Sequence, residues 1–464
     1  MKVNLFCIVI CLFLASCGIL NNSQKTASAH TNPPSTNKKN TRIVYNPETG
    51  VYDTITIVTN DPKVDHKTDE HPVPPKPNKN NFPTKNDSSK ESIKISYRVA
   101  FLLPFQENEY QLNSNTIPET STWALDYYLG AKLALDQLNT EGINLVIDVY
   151  DTEGSETKTK FILDKPELKK CNLIIGEYRK QNEAMIAEFG KNNKIFVLSP
   201  HATQAEITSN NPYYLQAQPS LKSHMQAILD DAIKHGATKE NILILARNNS
   251  TETTAVDFLQ QYYKILKKNK NELLKVMLLD DNSSQINSNE LKPYLDNENN
   301  FFIIPSWSNE NYLNTLLRKI DYQKGKSNAT VYGLYQWLDF DKISIDLAER
   351  LNWKISSNYY IDDNAFDVVK FKNDFYNKYN TIPSETAYRG YDQTYFIAKK
   401  MNTYGLNFNQ YLSNEKEHYL HSIFDFKKEF KSVGNLENSF NFDFYENKHV
   451  YILSFDQYRF VPQD

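Results

Sequence analysis

The chain has 464 residues, 40% hydrophobic and 23% charged, enough for two or three lobes with cores of their own. Its formal net charge of -4 leaves no basic footprint, so a nucleic-acid partner is not expected. In chain order, residues 1–17 read as a signal sequence. Lys2 gives the charged start, and residues 5–14 form an apolar stretch too short to span a bilayer stably. A plain secretory signal and a short membrane anchor are the alternatives.

Leu14-Ala15-Ser16-Cys17 resembles the lipobox of bacterial lipoproteins. The resemblance implies cleavage after residue 16 and acylation of Cys17, and several acyl chains hold a protein firmly where one does not. Gly18, in place of an Asp, resembles lipoproteins sent to the outer membrane, and residues 21–25 lack the acidic cluster of surface-displayed ones. The expected location is therefore the outer membrane, facing the periplasm. Cys7, Cys11 and Cys17 lie in this leader, which leaves Cys171 as the lone thiol of the folded part. No internal disulfide is expected, and Cys171 reads as a small buried hydrophobe.

Residues 17–96 shift to Asn, Lys, Thr, Ser and Pro, with nine of the 19 prolines between Pro33 and Pro83. Such a stretch buries too little apolar surface to fold, and it reads as a lipid-anchored tether with a relaxed span of about 50 Å. Residues 42–58 break the pattern with two β-prone runs around a Pro/Gly turn. A lone hairpin is marginal in water, so the default expectation there is no fixed structure.

The body alternates strand and helix patterns. Strands are expected at 98–103, 143–150, 173–176 and 195–198, with helices between them, the first capped by Ser121 or Thr122. After Pro219 a second such run follows. Its strands are expected at 242–246, 275–279, 301–304 and 330–334, and its helices at 220–233, 251–266, 309–320 and 342–351. Alternation of this kind implies parallel βαβ units, hence α/β architecture in two doubly wound blocks. A Tyr-rich helical tail at 363–405 and a β meander at 440–460 complete the chain.

Ser199-Pro200-His201-Ala202-Thr203 then sits at the carboxyl end of a strand, where open α/β sheets bind ligands. This turn resembles the Ser-Pro-x-Ala-Thr turn of the type I periplasmic-binding-protein family, the branched-chain amino-acid-binding proteins in particular. Ala124-Leu-Asp-Tyr-Tyr-Leu-Gly-Ala-Lys-Leu-Ala-Leu-Asp136 is similar to the family's first helix, and Ile382-Pro383 with Ala387-Tyr-Arg-Gly-Tyr-Asp392 to a late one. The resemblance covers residue 98 onward. It implies two doubly wound parallel-sheet lobes joined by three chain crossings, placed near Gln218, Asn358 and Phe440. Lobe one is then 97–218 with 359–439, and lobe two 219–358 with 440–464.

The same resemblance implies ligand contacts at Trp123, at His201, Ala202 and Thr203, and at Trp307 and Gln336 of lobe two. The sequence departs from the family after the third strand: Gly176-Glu-Tyr-Arg179 replaces Gly-Pro-x-x-Ser, so the binding Ser is lost and Arg179 offers a forked donor. Gln336 stands where an acid holds the ammonium group of an amino-acid ligand. Against these roles, Glu177 and Arg179 suit a solvated helix start, Trp307 and Trp337 suit packing, and His201 suits a solvated rim.

No Gly-x-Ser-x-Gly, phosphate-cradling loop or His-Glu-x-x-His occurs, so neither enzymatic chemistry nor a cofactor is expected. His418 and His421, three apart on an expected helix, lack a third metal ligand. Two roles remain. One is a receptor of the ABC-transporter type that closes its lobes on a small polar ligand, amino-acid-like or cell-wall-derived. The other is a ligand-free module with an envelope protein partner, resembling the lipoproteins that regulate peptidoglycan synthesis.

Overall fold

The computed structural model describes residues 41–46, 51–56, 94–110, 117–204, 207–280, 291–295, 297–414, 416–430 and 442–463. The signal sequence, Cys17 and nearly all of the expected tether lie outside them. Within the 42–58 island, β1 (Thr41–Asn46) and β2 (Val51–Thr56) pair antiparallel from Thr41 opposite Thr56 to Asn46 opposite Val51. The island that the sequence set apart is this antiparallel pair, with Ile43 in register with Thr54 and Tyr45 with Tyr52. No described helix is long and apolar enough to cross a membrane.

The body begins with β3 (Tyr97–Leu103), α1 (Glu119–Thr140), β4 (Leu145–Asp151), α2 (Glu156–Leu163), β5 (Leu173–Ile175), α3 (Lys180–Asn193), β6 (Phe196–Ser199) and β7 (Tyr214–Gln216). A second run holds α4 (Leu221–Lys234), β8 (Ile242–Arg247), α5 (Ser250–Lys267), β9 (Lys275–Leu279), β10 (Asn299–Ile303), α6 (Glu310–Lys324), β11 (Asn328–Leu334), α7 (Ile345–Arg350) and β12 (Lys354–Ser357). The chain then forms α8 (Phe366–Tyr379), α9 (Glu385–Tyr404), a small pair β13 (Glu417–His418) and β14 (Ile423–Phe424), and β15 (Phe426–Glu429). It ends with β16 (Phe444–Asn447), β17 (Tyr451–Asp456) and β18 (Arg459–Pro462).

Two seven-stranded sheets result, ordered β15-β16-β7-β6-β5-β3-β4 and β18-β17-β12-β11-β10-β8-β9. Five consecutive strands of each sheet, running in from the β4 and β9 edges, are parallel and share one winding, second-first-third-fourth-fifth, so each lobe is a doubly wound unit. β3 shows why its apolar run is unbroken. Val99, Phe101 and Leu103 pack under α1 and α9, while Ala100 and Leu102 face α2 and α3 on the other side. In the second sheet Leu243 and Leu245 pack with α6, and Ile242 and Ile244 with α4 and α5.

Side-chain caps define the helix starts where the sequence supplies them. Ser220 accepts from Ser223 N, Asn249 from Thr251 N and Glu252 N, Asn309 from Tyr312 N and Ser384 from Ala387 N. The first helix differs from expectation: it starts at Glu119 behind Pro118, before Ser121 and Thr122, and both hydroxyls turn back onto Pro118 O.

The chain passes between sheets after β7, after β12 and after β16. The third crossing is corrected from Phe440 to residues 448–450, because β16 pairs in parallel with β7 and so belongs to the first lobe. At the first two crossings Asn358 Nδ2 donates to Gln218 Oε1. A charged cluster ties the third to the first: Ser220 N and Ser223 Oγ donate to Glu446 Oε1 at 2.8 and 2.7 Å, and Lys448 Nζ reaches Glu446 and Glu429 at 2.5 and 2.6 Å.

Candidate functional site

The turn after β6 is held from three sides. Ser199 Oγ accepts from Ala202 N at 3.3 Å, and Pro200 O accepts from Gln218 Nε2 at 3.2 Å and Gln393 Nε2 at 3.3 Å. Pro200 thus ends the strand as its chemistry dictates, and the turn is pinned to the first crossing and to α9. Ala202 is half-buried and Thr203 exposed.

His201 is half-buried, not the solvated rim residue its sequence setting suggested. Its ring lies 4.7 Å from Tyr178 and 5.8 Å from Trp123, and Trp123 stacks on Tyr127 at 5.4 Å. Its Nδ1 is 3.2 Å from Arg389 Nη1. Burial, with Arg389 adding to it, pushes the His201 imidazole down to about 4, so the ring is neutral and its unprotonated nitrogen accepts from the guanidinium.

Behind Arg389 runs a buried polar chain. The guanidinium forks onto Glu385, with Nη2 at 2.8 and 2.9 Å from its two oxygens, one turn earlier on α9. Glu385 Oε1 faces His421 Nε2 at 3.2 Å, and His421 Nδ1 faces Asp392 at 2.7 Å. Burial alone would push Glu385 up, but Arg389 and His421 overcome it and hold the carboxyl at about 2. Burial likewise opposes the charge on His421, yet Asp392 and Glu385 raise it. His418 and His421 do not share a helix: His418 is exposed in β13 and His421 is buried in the turn before β14. Among the described residues no group of His, Cys, Asp and Glu is arranged to hold a metal.

The second lobe adds the ends of β10 and β11. Trp307 follows β10 and lines a 320 Å³ pocket with Arg247, Asn249, Thr251, Glu252 and Ser308. Gln336 lies in the 3-10 turn after β11, next to Trp337, whose Nε1 donates to Ser306 O at 2.6 Å. Tyr335, beside Gln336, lies within electrostatic reach of Arg389 and Glu385, so the two lobes meet around this cluster. Tyr359, from the second crossing, feels the same charges, and burial pushes its hydroxyl up to about 12. Several polar atoms around these elements are buried without a partner, among them Trp123 Nε1 near the start of α1 on lobe one, and Ser306 Oγ after β10 and Gln336 Oε1 after β11 on lobe two.

Of the residues singled out from sequence, Trp123 and His201 come together, and Gln336 is next to Tyr335 on the facing lobe. Arg179 does not join them: its guanidinium lies over Gly154 in the loop after β4. Its neighbour Glu177 is no solvated helix start but is 1% exposed, accepting from Thr152 Oγ1, Tyr178 N, Arg179 N and Asn182 Nδ2. Sequence reasoning missed Tyr178, Tyr335, Tyr359 and the Glu385–Arg389 pair. The four-residue spacing of that last pair on one helix face was the available signal.

A family model described as the receptor family ligand binding region matches residues 128–407, more than half of the chain. The chain belongs to that family, and its fold is that of the type I periplasmic binding proteins. No curated protein sequence matches the chain. Among solved structures, one of a branched-chain amino acid ABC transporter protein from Rhodospirillum rubrum is 12% identical, covers 79% of this chain and 100% of its own, and has a TM-score of 0.56. The ABC transporter substrate-binding protein of Desulfitobacterium hafniense in complex with Leu is 12% identical over the same shares, at 0.51. Full-length LpoA from Haemophilus influenzae is 12% identical at 0.54, over 79% of this chain and 59% of its own. At such identities the likeness is one of fold.

Proposed function

We propose that the chain is a two-lobed receptor of the cell envelope that closes on a small polar ligand, amino-acid-like or cell-wall-derived, between Trp123, Tyr178 and His201 on one side and Tyr335 and Gln336 on the other. The observation that carries this is that buried polar atoms stand without a partner on both lobes, a donor on Trp123 in α1 and an acceptor on Gln336 after β11 among them. Buried polar groups are normally paired, and a ligand bearing both an acceptor and a donor satisfies the two at once. The aromatic rings supply apolar area beside them. Neither an enzymatic step nor a cofactor is part of this reading.

Isothermal titration of the full chain with amino acids, dipeptides and amino-sugar fragments tests it. For the compound that binds, Trp123→Phe and Gln336→Leu should each weaken affinity by roughly 5- to 100-fold, the loss of one buried hydrogen bond. A flat response to every compound, or unchanged affinity in both variants, overturns the reading.

The likeness to LpoA supports a second reading, an envelope module whose partner is a protein and whose cleft takes no ligand. Crosslinking in cells separates the two: recovery of a permease alone ends the second reading. Either way the proposal places the body on an acylated Cys17 at the outer membrane, supported by the Leu-Ala-Ser-Cys run. The mass of the mature N-terminus tests this, and an unacylated Cys17 would remove the anchor.

A further inference from the structure

Outside the cleft, α1, α8, α9, the second crossing and the first residue of β17 enclose an open groove of about 1080 Å³. Its α1 wall runs from Leu133 to Glu141, and Leu133 lies 10 residues beyond Trp123, about 15 Å along the helix at 1.5 Å per residue. None of Trp123, Tyr178, His201, Tyr335 and Gln336 lines the groove, so it is distinct from the cleft, although Tyr360 and Leu420 in its wall adjoin Tyr359 and His421 in sequence.

Its wall is aromatic. Tyr391 and Tyr395, one turn apart on α9, hold their rings 4° from parallel with centroids 5.8 Å apart, and Tyr360, Tyr419 and Tyr451 line it with them. Phe366 at the rim is 80% exposed, an apolar side chain that α8 leaves uncovered. Five carboxylates line the same space. Three are already paired: Asp136 with Lys378, Glu141 with Lys399 at 3.0 Å, and Asp374 with Lys370 at 2.6 Å. Asp362 and Asp367 are exposed and form no ion pair among the described residues, while Lys370 in the same lining is bonded to Asp374.

The geometry points to a peptide segment bearing lysine or arginine as the occupant of this groove. Aromatic faces attract cations, and the two carboxylates without a cationic partner supply the complementary charge. The chain shows the preference itself, since Lys399 Nζ lies 5.7 Å from the Tyr395 centroid. A neutral saccharide is less well served. Three of the five tyrosine hydroxyls it would bond are already engaged, Tyr391 with Gln137, Tyr395 with Glu141 and Tyr419 with Glu417. The site owes nothing to the cleft, so its failure and that of the receptor reading are independent.

Fluorescence anisotropy with labelled tetralysine on the full chain tests this, using the lysine-acetylated tetrapeptide and cellotetraose as competitors. Tetralysine should bind, the two competitors should not displace it, and the paired substitution Asp362→Asn with Asp367→Asn should weaken binding at least tenfold. Carbodiimide coupling of the bound peptide, mapped by mass spectrometry, should mark Asp362 or Asp367. Both residues are exposed, so a folding defect is not expected, and an unchanged circular dichroism spectrum checks it. Displacement by the acetylated peptide or by cellotetraose, unaltered affinity in the double variant, or coupling only elsewhere overturns the proposal.

Discussion

At the scale of single residues, three titrating groups of the cluster pull stability in opposite directions. His201 is held at about 4, below the 6.5 of an unfolded histidine, so its share is fully present above pH 6.5 and is lost as pH falls toward 4. Glu385, held at about 2, extends the loss downward from 4.5. His421 is raised, so its contribution is complete below pH 6.5 and disappears as pH climbs through its folded value. His224 and His449, each pushed to about 4 by burial, act in the same sense as His201. Replacing His201→Phe keeps a ring between Trp123 and Tyr178 but removes one titration. The slope of stability between pH 6.5 and 4 should then drop by up to about 1.4 kcal/mol per pH unit. Urea midpoints measured every half unit from pH 7 to 4 read this, and a slope equal to the parent's would show that His201 titrates normally.

At the scale of elements, the contact between α1 and α9 turns on two glycines. A Cβ on Gly130 would sit 1.8 Å from Ala387 O, and one on Gly390 would sit 2.0 Å from Tyr127 O, so the backbones touch at both points. Gly130→Ala should cost about 3 kcal/mol, the upper part of the overpacking range, read as a lowered urea midpoint. Parent-like stability would mean the helices have room to part. These glycines belong to the Gly-Ala and Gly-Tyr-Asp runs that carried the family resemblance, so close helix approach is a physical meaning of those letters.

The fold was legible because both doubly wound blocks announce themselves in apolar runs such as 98–103 and 242–246 separated by amphipathic helices. Less legible were β7 and β12. Tyr214–Gln216 is three residues long, and Lys354–Ser357 carries Lys354, Ser356 and Ser357, all buried, the first two bonded to partners remote in sequence. Lys354 Nζ, for instance, meets Asp231 at 2.7 Å, 123 positions away. Half of the candidate site was readable for the same reason. Trp123 and His201 stand in a local motif, whereas Arg389 gains its meaning from His201, 188 positions away.

At the scale of the whole molecule, the crossings decide how the lobes communicate. Glu446 is 1% exposed and Glu429 7%, and Lys448 lies between them with Lys222 bonded to Glu429 at 2.6 Å. Burial opposes the charge on Lys448, but Glu446 and Glu429 raise it, so the ammonium is retained. Lys448→Met leaves the buried Glu446 carboxylate without a cation, Glu429 keeping Lys222, and should cost about 3 kcal/mol. Thermal and urea denaturation measure the loss, and a change under 1 kcal/mol would show that Lys222 alone neutralises the cluster.

One further consequence comes from how the two sheets are finished. Both wait for the same short stretch of chain: β16 fills a place beside β7, and a few residues later β17 and β18 close the other sheet against β12. During synthesis, which runs from the amino end, each half therefore keeps an unpaired strand edge until residues 444–462 have emerged. Neither half is then a unit that matures ahead of the other. Completion of the pair is a single late event.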